Sequence, residues 1–493
     1  MACTSGRAAT EHVPVATVAR RWGLCTAHGL ATVATDNLST AARLIRRGLL
    51  LVSVFVACGS QLCASVVIEE PATDNRVYSV RCRLQVTGEI RTAVQEGRTI
   101  GLKLNVDGRM SFLERRLAAT GRDSHALRSL RSYQLAEARI EAGERKTSSK
   151  LPDSRRLIVA EGRVDGIRHW STLGSMTSES IDLLRTPGDS LALIALLPDS
   201  AVEAGSTWKP PHWVIQTLTG VEAVTKSELS CRIDRLDERY AIIVLDGQIE
   251  GAILGSLTTV TVKGQIAFDL QSGHIRQAQI TQTEERAVGT VSPGMQVTAT
   301  MYVDRQVSNS VGPLTDKLVD SIPIAPEDEQ LAVGFVSPWR LYFTHSRDWH
   351  VFHQTDDVAV LRLIEDGSLV AQCNVSRIPS VAAGRHTPEE QFIGDIQTAL
   401  GSQLREISDA KVISVNDDRW LYRVTARGMT RDVPMEWYYY LCAAPDGRQV
   451  AFVFSLESRL AESFSGRDLE LVGSVRFLKP AEATAKKPVS DAR

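Results

Sequence analysis

Serine attacks a substrate only when a neighbouring base takes its proton, so the segment Gly188-Asp189-Ser190-Leu191 raises the first chemical question of this chain. The residues before it, Leu183-Leu184-Arg185-Thr186-Pro187, read as a helix end followed by a turn. Ser190 is therefore expected to cap a short helix over 191–197 that stops at Pro198, with an envelope hydrolase built on Ser190 as the rival reading. A second cluster holds His345, His350 and His353 with Asp348, Asp356 and Asp357, ligand types that suit a divalent metal. On a strand, odd spacing puts His350 and His353 on opposite faces, so loop and edge histidines are expected there and no metal. The third candidate is the aromatic run Trp437-Tyr438-Tyr439-Tyr440, near Phe452 and Phe454. Alternation places Trp437 and Tyr439 on one face, Tyr438 and Tyr440 on the other. Core packing is the default for such a run, and a binding surface is the functional alternative. The chain has no Walker A loop, GxGxxG, HExxH or EF-hand loop, so no cofactor is implied.

Four of the eight cysteines, Cys3, Cys25, Cys58 and Cys63, fall early, within or before the segment read below as an export signal. The other four, Cys82, Cys231, Cys373 and Cys442, permit three pairings. The simplest is Cys82–Cys231 and Cys373–Cys442, one bridge per domain, which an oxidising compartment would preserve; four buried free thiols are the alternative. There is no CxxC pair, which leaves thioredoxin-like chemistry and zinc ribbons without support.

The elements that must position these residues follow a signal for export. Arg43, Arg46 and Arg47 precede an apolar run over 48–57, and small residues follow to Ser65. A basic flank, a short apolar core and a small-residue segment are the three parts of a secretory signal. The apolar run is shorter than the roughly 20 residues of a membrane span. Phe55-Val56-Ala57-Cys58-Gly59 resembles a bacterial lipobox, although Phe55 stands where leucine is usual. Lipidation at Cys58, cleavage near Ala64 and Ser65, and a retained anchor all stay open. Residues 1–47 carry six arginines against two acids, so the remaining chain has 50 basic and 56 acidic side chains, a net charge of −6. A mildly acidic chain with 6% aromatics has neither the field nor the stacking platforms of a nucleic-acid binder. Membrane contact is expected only through the lipid anchor.

Five segments are expected: 1–65, an N-terminal extension and signal peptide; 66–306, mostly β; 307–330, a linker rich in Pro, Ser and acids; 331–478, an α/β domain; and 479–493, a disordered polar tail. In the second segment Val260, Val262, Ile266 and Phe268 recur near period two, the pattern of an antiparallel sheet with one wet face. The charged stretch 109–148 reads as an arginine-rich helix or hairpin insert. In 331–478, Asp366-Gly367 and Asp446-Gly447 mark hairpins. Thr387-Pro388-Glu389-Glu390 reads as a capped helix start, with Phe392, Ile396, Leu400 and Leu404 on one face.

The order of strands and helices in 331–478 resembles the PsbP-like fold, an α/β/α sandwich found in secreted bacterial proteins and lipoproteins. The resemblance is carried by Tyr342-Phe343-Thr344-His345, Trp349-His350-Val351, the helix over 388–404, Trp437-Tyr438-Tyr439-Tyr440-Leu441 and the stretch from Phe464 to Phe477. It implies binding or assembly and no catalytic residues. The two-domain layout is similar to that of uncharacterised secreted proteins of planctomycete-type bacteria. Gly188-Asp189-Ser190-Leu191 also resembles the nucleophile block of GDSL hydrolases, but the Asp-x-x-His block that supplies their base has no match here. The expected fold is thus α+β, a large curved, half-barrel-like antiparallel sheet followed by a PsbP-like α/β domain. The expected function is that of an exported envelope protein, not an enzyme, binding a lipid, peptide, glycan or envelope partner. A structural assembly factor without a ligand pocket is the third reading.

Overall fold

The structure, a computed structural model, describes residues 65–71, 74–94, 98–117, 126–163, 166–289, 292–416 and 419–479. The expected signal segment with Cys58, and the tail beyond Lys479, lie outside the described residues.

The first half is built from long strands: β1 (Val77–Val94), β2 (Arg98–Arg116), β3 (Arg128–Ala142), β4 (Arg145–Lys150), β5 (Leu157–Arg163), β6 (Gly166–Ser171) and the short β7 (Met176–Thr177). After a helical segment come β8 (Thr207–Trp208), β9 (Ala223–Ser227), β10 (Ser230–Leu236), β11 (Tyr240–Ile253), β12 (Ser256–Asp269), β13 (His274–Arg286) and β14 (Gly294–Val307). All but β7 form one 13-stranded sheet in the order β6-β5-β3-β2-β1-β14-β13-β12-β11-β10-β8, with β4 on β3 and β9 on β11. Most neighbours in the sheet are also neighbours in the chain. The pairing of β1 with β14 joins the two runs into one surface.

Period-two alternation fixes which face is covered. Val260, Val262, Ile266 and Phe268 of β12 are buried together with Ile280, Met301 and Val303 from the next two strands, while Lys263 and Gln265 stay exposed. Three short helices pack on the covered face: Ser178–Leu184, Ser190–Ala195 and His212–Thr219. The second touches both β5 and β13, and the third touches β6 at one edge and β9 near the other. Strands so far apart in the order meet the same helices, so the sheet curls around them. Gly88 and Gly247 let the long strands bend: each has a positive φ, and a Cβ on Gly88 would lie 2.2 Å from the Gln296 carbonyl oxygen. Of the stretch 109–148, expected as an arginine-rich helix or hairpin insert, the described residues form the end of β2 and the antiparallel β3 and β4, built into the sheet and not inserted beside it.

The segment 307–330 is not a free linker. Leu314 is fully buried in a cluster with Val77, Leu130, Val159 and Trp170, and Leu318, Val319 and Ile322 pack against it. Arg115 donates to the Leu314 carbonyl at 2.9 Å.

The second half contributes β15 (Val333–Val336), β16 (Leu341–His345), β17 (Trp349–Gln354), β18 (Val358–Glu365), β19 (Ser368–Ile378), β20 (Leu404–Asn416), β21 (Arg419–Thr430), β22 (Val433–Ala443), β23 (Gln449–Glu457) and β24 (Arg476–Phe477). Seven of these make an antiparallel sheet in the order β17-β18-β19-β23-β22-β21-β20. One face carries the helix Glu389–Leu400, whose Phe392, Ile396 and Leu400 meet Tyr422, Val424, Trp437 and Tyr439. The other face is roofed by Phe335, Leu341 and Phe343 of β15 and β16, with Phe464, Leu471 and Val472 from helices of four and seven residues.

The expected α+β assignment with a PsbP-like α/β/α sandwich is therefore corrected to a mostly β chain. A helix of real length covers one face only, and strands form much of the layer expected to be helical. The misreading came from the stretch 467–477, whose apolar pattern gives a helix of only seven residues before the chain turns into β24. The helix of 389–400 also starts one residue later than expected, with Pro388 as its N-cap and no side-chain cap, and Leu404 already opens β20.

A third, four-stranded sheet, β24-β16-β15-β7, joins the halves, with β7 lying parallel to β15. Ser175 Oγ and Tyr342 OH share a hydrogen bond of 2.8 Å, and Arg347 donates to the His169 carbonyl at 2.7 Å. Two hairpin tips also meet: Leu254–Gly255 and Asp366–Gly367 all have positive φ, and a Cβ on Gly255 would stand 3.0 Å from the Gly367 oxygen.

Candidate functional site

Charged side chains interrupt the apolar rows of the first sheet at a few inward positions. Met110, Phe112 and Glu114 share a face of β2; Ser129, Arg131 and Tyr133 share a face of β3; Met301, Val303 and Arg305 share one of β14. Glu114 and Arg131 are direct cross-strand neighbours, close enough for their side chains to meet.

Around them a network closes. Arg131 donates through Nε to Glu114 Oε1 at 2.9 Å and grips Asp189 with both Nη atoms at 2.7 Å. Such a two-pronged carboxylate contact is the strong geometry for arginine. Ser190 Oγ donates to Glu114 Oε1 at 2.7 Å and accepts from Arg131 Nη2 at 2.9 Å. Arg305 pairs with Glu70 at 2.5 Å and reaches Glu114 Oε2 at 3.6 Å, with the Tyr78 ring beneath its guanidinium at 4.5 Å. Glu70 also accepts from the Ile275 amide at 2.6 Å.

Burial opposes every one of these charges, and the partners reverse the outcome. Burial pushes the Glu114 carboxyl up, but Arg131 and Arg305 hold it below the usual range; Asp189 is held far down by Arg131. Arg131 is kept protonated by Asp189 and Glu114 against its own desolvation.

His169 sits beside this network, its Nε2 3.2 Å from Arg131 Nη1 and 3.5 Å from Asp189 Oδ2. Burial lowers its pKa, so the ring is neutral near pH 7. No hydrogen bond joins His169 to Ser190 among the described residues, and both side chains are almost wholly buried. Ser190 therefore has neither a histidine base nor access for a substrate. It is also not the helix cap: Asp189 is, accepting from the Leu191 amide at 2.9 Å.

An open site lies at one end of the same sheet. A cleft of about 620 Å³ runs across β1, β14, β13, β12, β11 and β9. Its charged and polar walls come from Arg91, Gln296, Glu285, Arg286, Thr259 and Glu250, with Leu257 largely exposed among them. Arg91 donates to Gln296 Oε1 at 2.7 Å. Glu250 stands 3.7 Å from Lys226. Glu285 is exposed and has no partner among the described residues. Arg286 is buried against Glu284, donating through Nε at 3.0 Å, with its Nη2 2.9 Å from the same carboxylate oxygen.

The other sequence candidates resolve differently. Trp437, Tyr438, Tyr439 and Tyr440 are all buried, Trp437 and Tyr439 under the helix and Tyr438 and Tyr440 under the strand roof, so the run is core on both faces, as the default reading had it, and not the alternative binding surface. Tyr440 OH donates to Asp468 at 2.6 Å and Tyr438 OH to Glu436 at 2.8 Å. The expected disulfides are absent: Cys82, Cys231, Cys373 and Cys442 are free thiols. Cys82 and Cys231 stand on β1 and β10, five strand steps apart. Cys373 and Cys442 are two strands and four residues out of register, about 16 Å by strand geometry, and a bridge needs Cα atoms within about 7 Å. A bulge at Val351/His353 breaks the alternation assumed for His350 and His353. Among the described residues no three His, Cys, Asp or Glu side chains gather as a metal site.

No family model matches this chain, and no curated protein does. Among solved structures it is similar to OpdQ of Pseudomonas aeruginosa, at 8% identity over 77% of this chain and 96% of that one, with a TM-score of 0.12. The outer membrane protein OprD of the same bacterium gives 7% identity over 79% and 97%, also at 0.12. A score this low does not describe a shared path of the chain.

Proposed function

We propose that this chain is an exported, non-catalytic binding protein of the cell envelope. Support for export comes from the arginine cluster at 43–47 and the short apolar run behind it. The observation that carries the binding reading is a contrast in access. The groups that could do chemistry, Ser190 and His169, are sealed in a network that engages them, whereas the cleft across the strand ends opens only recognition groups, hydroxyl, amide, carboxylate and guanidinium. The curled sheet is filled by its own helices, which favours a ligand outside it over an acyl chain inside it.

Cell fractionation with mass spectrometry of the mature N-terminus tests this. The expected product sits in the envelope fraction and begins between residues 58 and 65, acylated if it begins at Cys58. A cytosolic product that retains residues 1–42 overturns the export. Ester hydrolysis abolished by Ser190→Ala in a variant of unchanged stability overturns the non-catalytic reading.

A further inference from the structure

Residues 65–71 form a strap that belongs to none of the three sheets. Val66 and Val202 exchange two backbone hydrogen bonds, at 2.8 and 2.9 Å, in an isolated bridge. From there the strap runs to the start of β13, where Glu70 accepts from the Ile275 amide. Its residues alternate: Val67 and Glu69 face solvent, whereas Ile68 is fully buried and Glu70 is 5% exposed. The strap thus puts one apolar side chain and one carboxylate into the first core, and that carboxylate takes both Nη atoms of Arg305.

Arg116 is the odd member of the same neighbourhood. It follows Glu114 on the inward face of β2 and is 4% exposed. Its Nη2 donates to the Ala126 carbonyl at 3.2 Å, while Nε and Nη1 have no acceptor. Glu114, Asp189 and Glu70 are held by Arg131 and Arg305, and no acid stands at ion-pair distance from Arg116 among the described residues. Of the acids around it, Glu70 acts most strongly on its charge, and Arg305 opposes that charge. A guanidinium does not shed its proton, so a buried one calls for acceptors. Two guanidiniums are therefore neighbours here, and the carboxylate that the strap supplies fills only one of them.

We propose that Arg116 and Arg305 form a binding site for a phosphate monoester, and that the strap is its built-in competitor, with Glu70 standing where the ligand would. This goes beyond the reading of the open cleft and stands without it. A phosphate brings more acceptor oxygens and more charge than a carboxylate, so it can serve both guanidiniums where Glu70 serves one. The ligand enters by lifting the strap, which is fastened by one bridge and two inward side chains.

The test is hydrogen exchange of the purified mature chain with and without millimolar glycerol 3-phosphate. The ester is expected to speed exchange over residues 66–70 about tenfold, because it displaces them, whereas potassium chloride of equal ionic strength does not. Vesicles carrying phosphatidate form a second arm: strap release by them alone assigns the site to a lipid headgroup, and release by glycerol 3-phosphate alone to a soluble ester. Glu70→Gln removes the competitor, so calorimetry is expected to show about tenfold tighter binding of the ester than in the parent, a gain that a further Arg116→Gln abolishes. If the Glu70 variant does not fold, exchange in the parent chain decides. Unchanged exchange over the strap with both phosphates, or the same change with potassium chloride, overturns the proposal. A gain in Glu70→Gln that survives Arg116→Gln overturns it as well.

Discussion

The two large sheets of this protein close their covered faces by opposite means. In the first half the centre of the covered face is ionic: Glu70, Glu114, Arg131, Asp189 and Arg305 lie side by side, each nearly or fully buried. In the second half the same task falls to rings. Phe454 packs edge-on to Trp349 and Tyr440, and Phe464 stacks on Tyr438. The second half buries charge too, at Asp468 beside Arg423, but there it lies under the rings, whereas in the first half a multi-arginine network forms the centre of the packing. A buried ion network adds little net stability compared with an apolar core, yet it resists removal of any one member. Ring packing contributes through area and loses stability in proportion to what is deleted.

Deletion of a hub should separate the two most clearly. Arg131→Ala leaves Asp189 and Glu114 without their main partner and is expected to cost about 3–5 kcal/mol in urea unfolding. Phe454→Ala in the second sheet is expected to cost a similar amount, about 3–5 kcal/mol, through its cavity. The difference lies in rescue: benzene-sized apolar solutes should restore part of the stability of the Phe454 variant and none of the Arg131 variant. A smaller loss, about 1–2 kcal/mol, is expected for Tyr440→Phe, which removes the hydroxyl that serves Asp468.

Acid should strain the first half before the second. Glu114 and Asp189 have folded pKa values below their unfolded ones, so their stabilisation is complete above about pH 5 and is lost as the pH falls through the folded values. His169 is also depressed by burial. The unfolded chain takes up its proton below about pH 6.5 and the folded chain does not, so stability falls from neutral pH downward. Urea midpoints at pH 7 and pH 5 should therefore draw together in His169→Gln. The smallest effect concerns the thiols. Burial pushes Cys82, Cys231 and Cys442 up to about 12, so reductant should leave the melting temperature unchanged and thiol reagents should label the four only after denaturation.

Much of the sheet structure was legible because alternation is local. The rows of β12 and β13, the Asp366–Gly367 hairpin and the apolar face of the helix over 389–400 each stand in a short window of sequence. The ionic network was harder to see, but it left a mark: Glu114 continues the series Met110, Phe112 at period two, and Arg305 continues Met301, Val303. A charge that extends an apolar series marks a buried pair, whereas counting charges over 109–148 averaged Arg131 with its exposed neighbours. The cleft left no such mark. Arg91, Glu285 and Glu250 come together through the pairing of β1 with β14, more than 200 residues apart in the chain, and no window contains that. The disulfides failed for the same reason, since pairing was inferred from which half each cysteine fell in and depended on register.

The small joining sheet has a consequence for the order in which this polypeptide matures. Met176 and Thr177 leave the ribosome about 160 residues before β15 and some 300 before Arg476 and Phe477, the last strand of that sheet. Until β15 emerges the early strand waits with an edge open to any passing neighbour, and the edge of β16 stays open until those final residues arrive. A nascent chain that stalls or is clipped ahead of residue 477 would release a body whose seam is unsewn, one suited to sticking to its own kind.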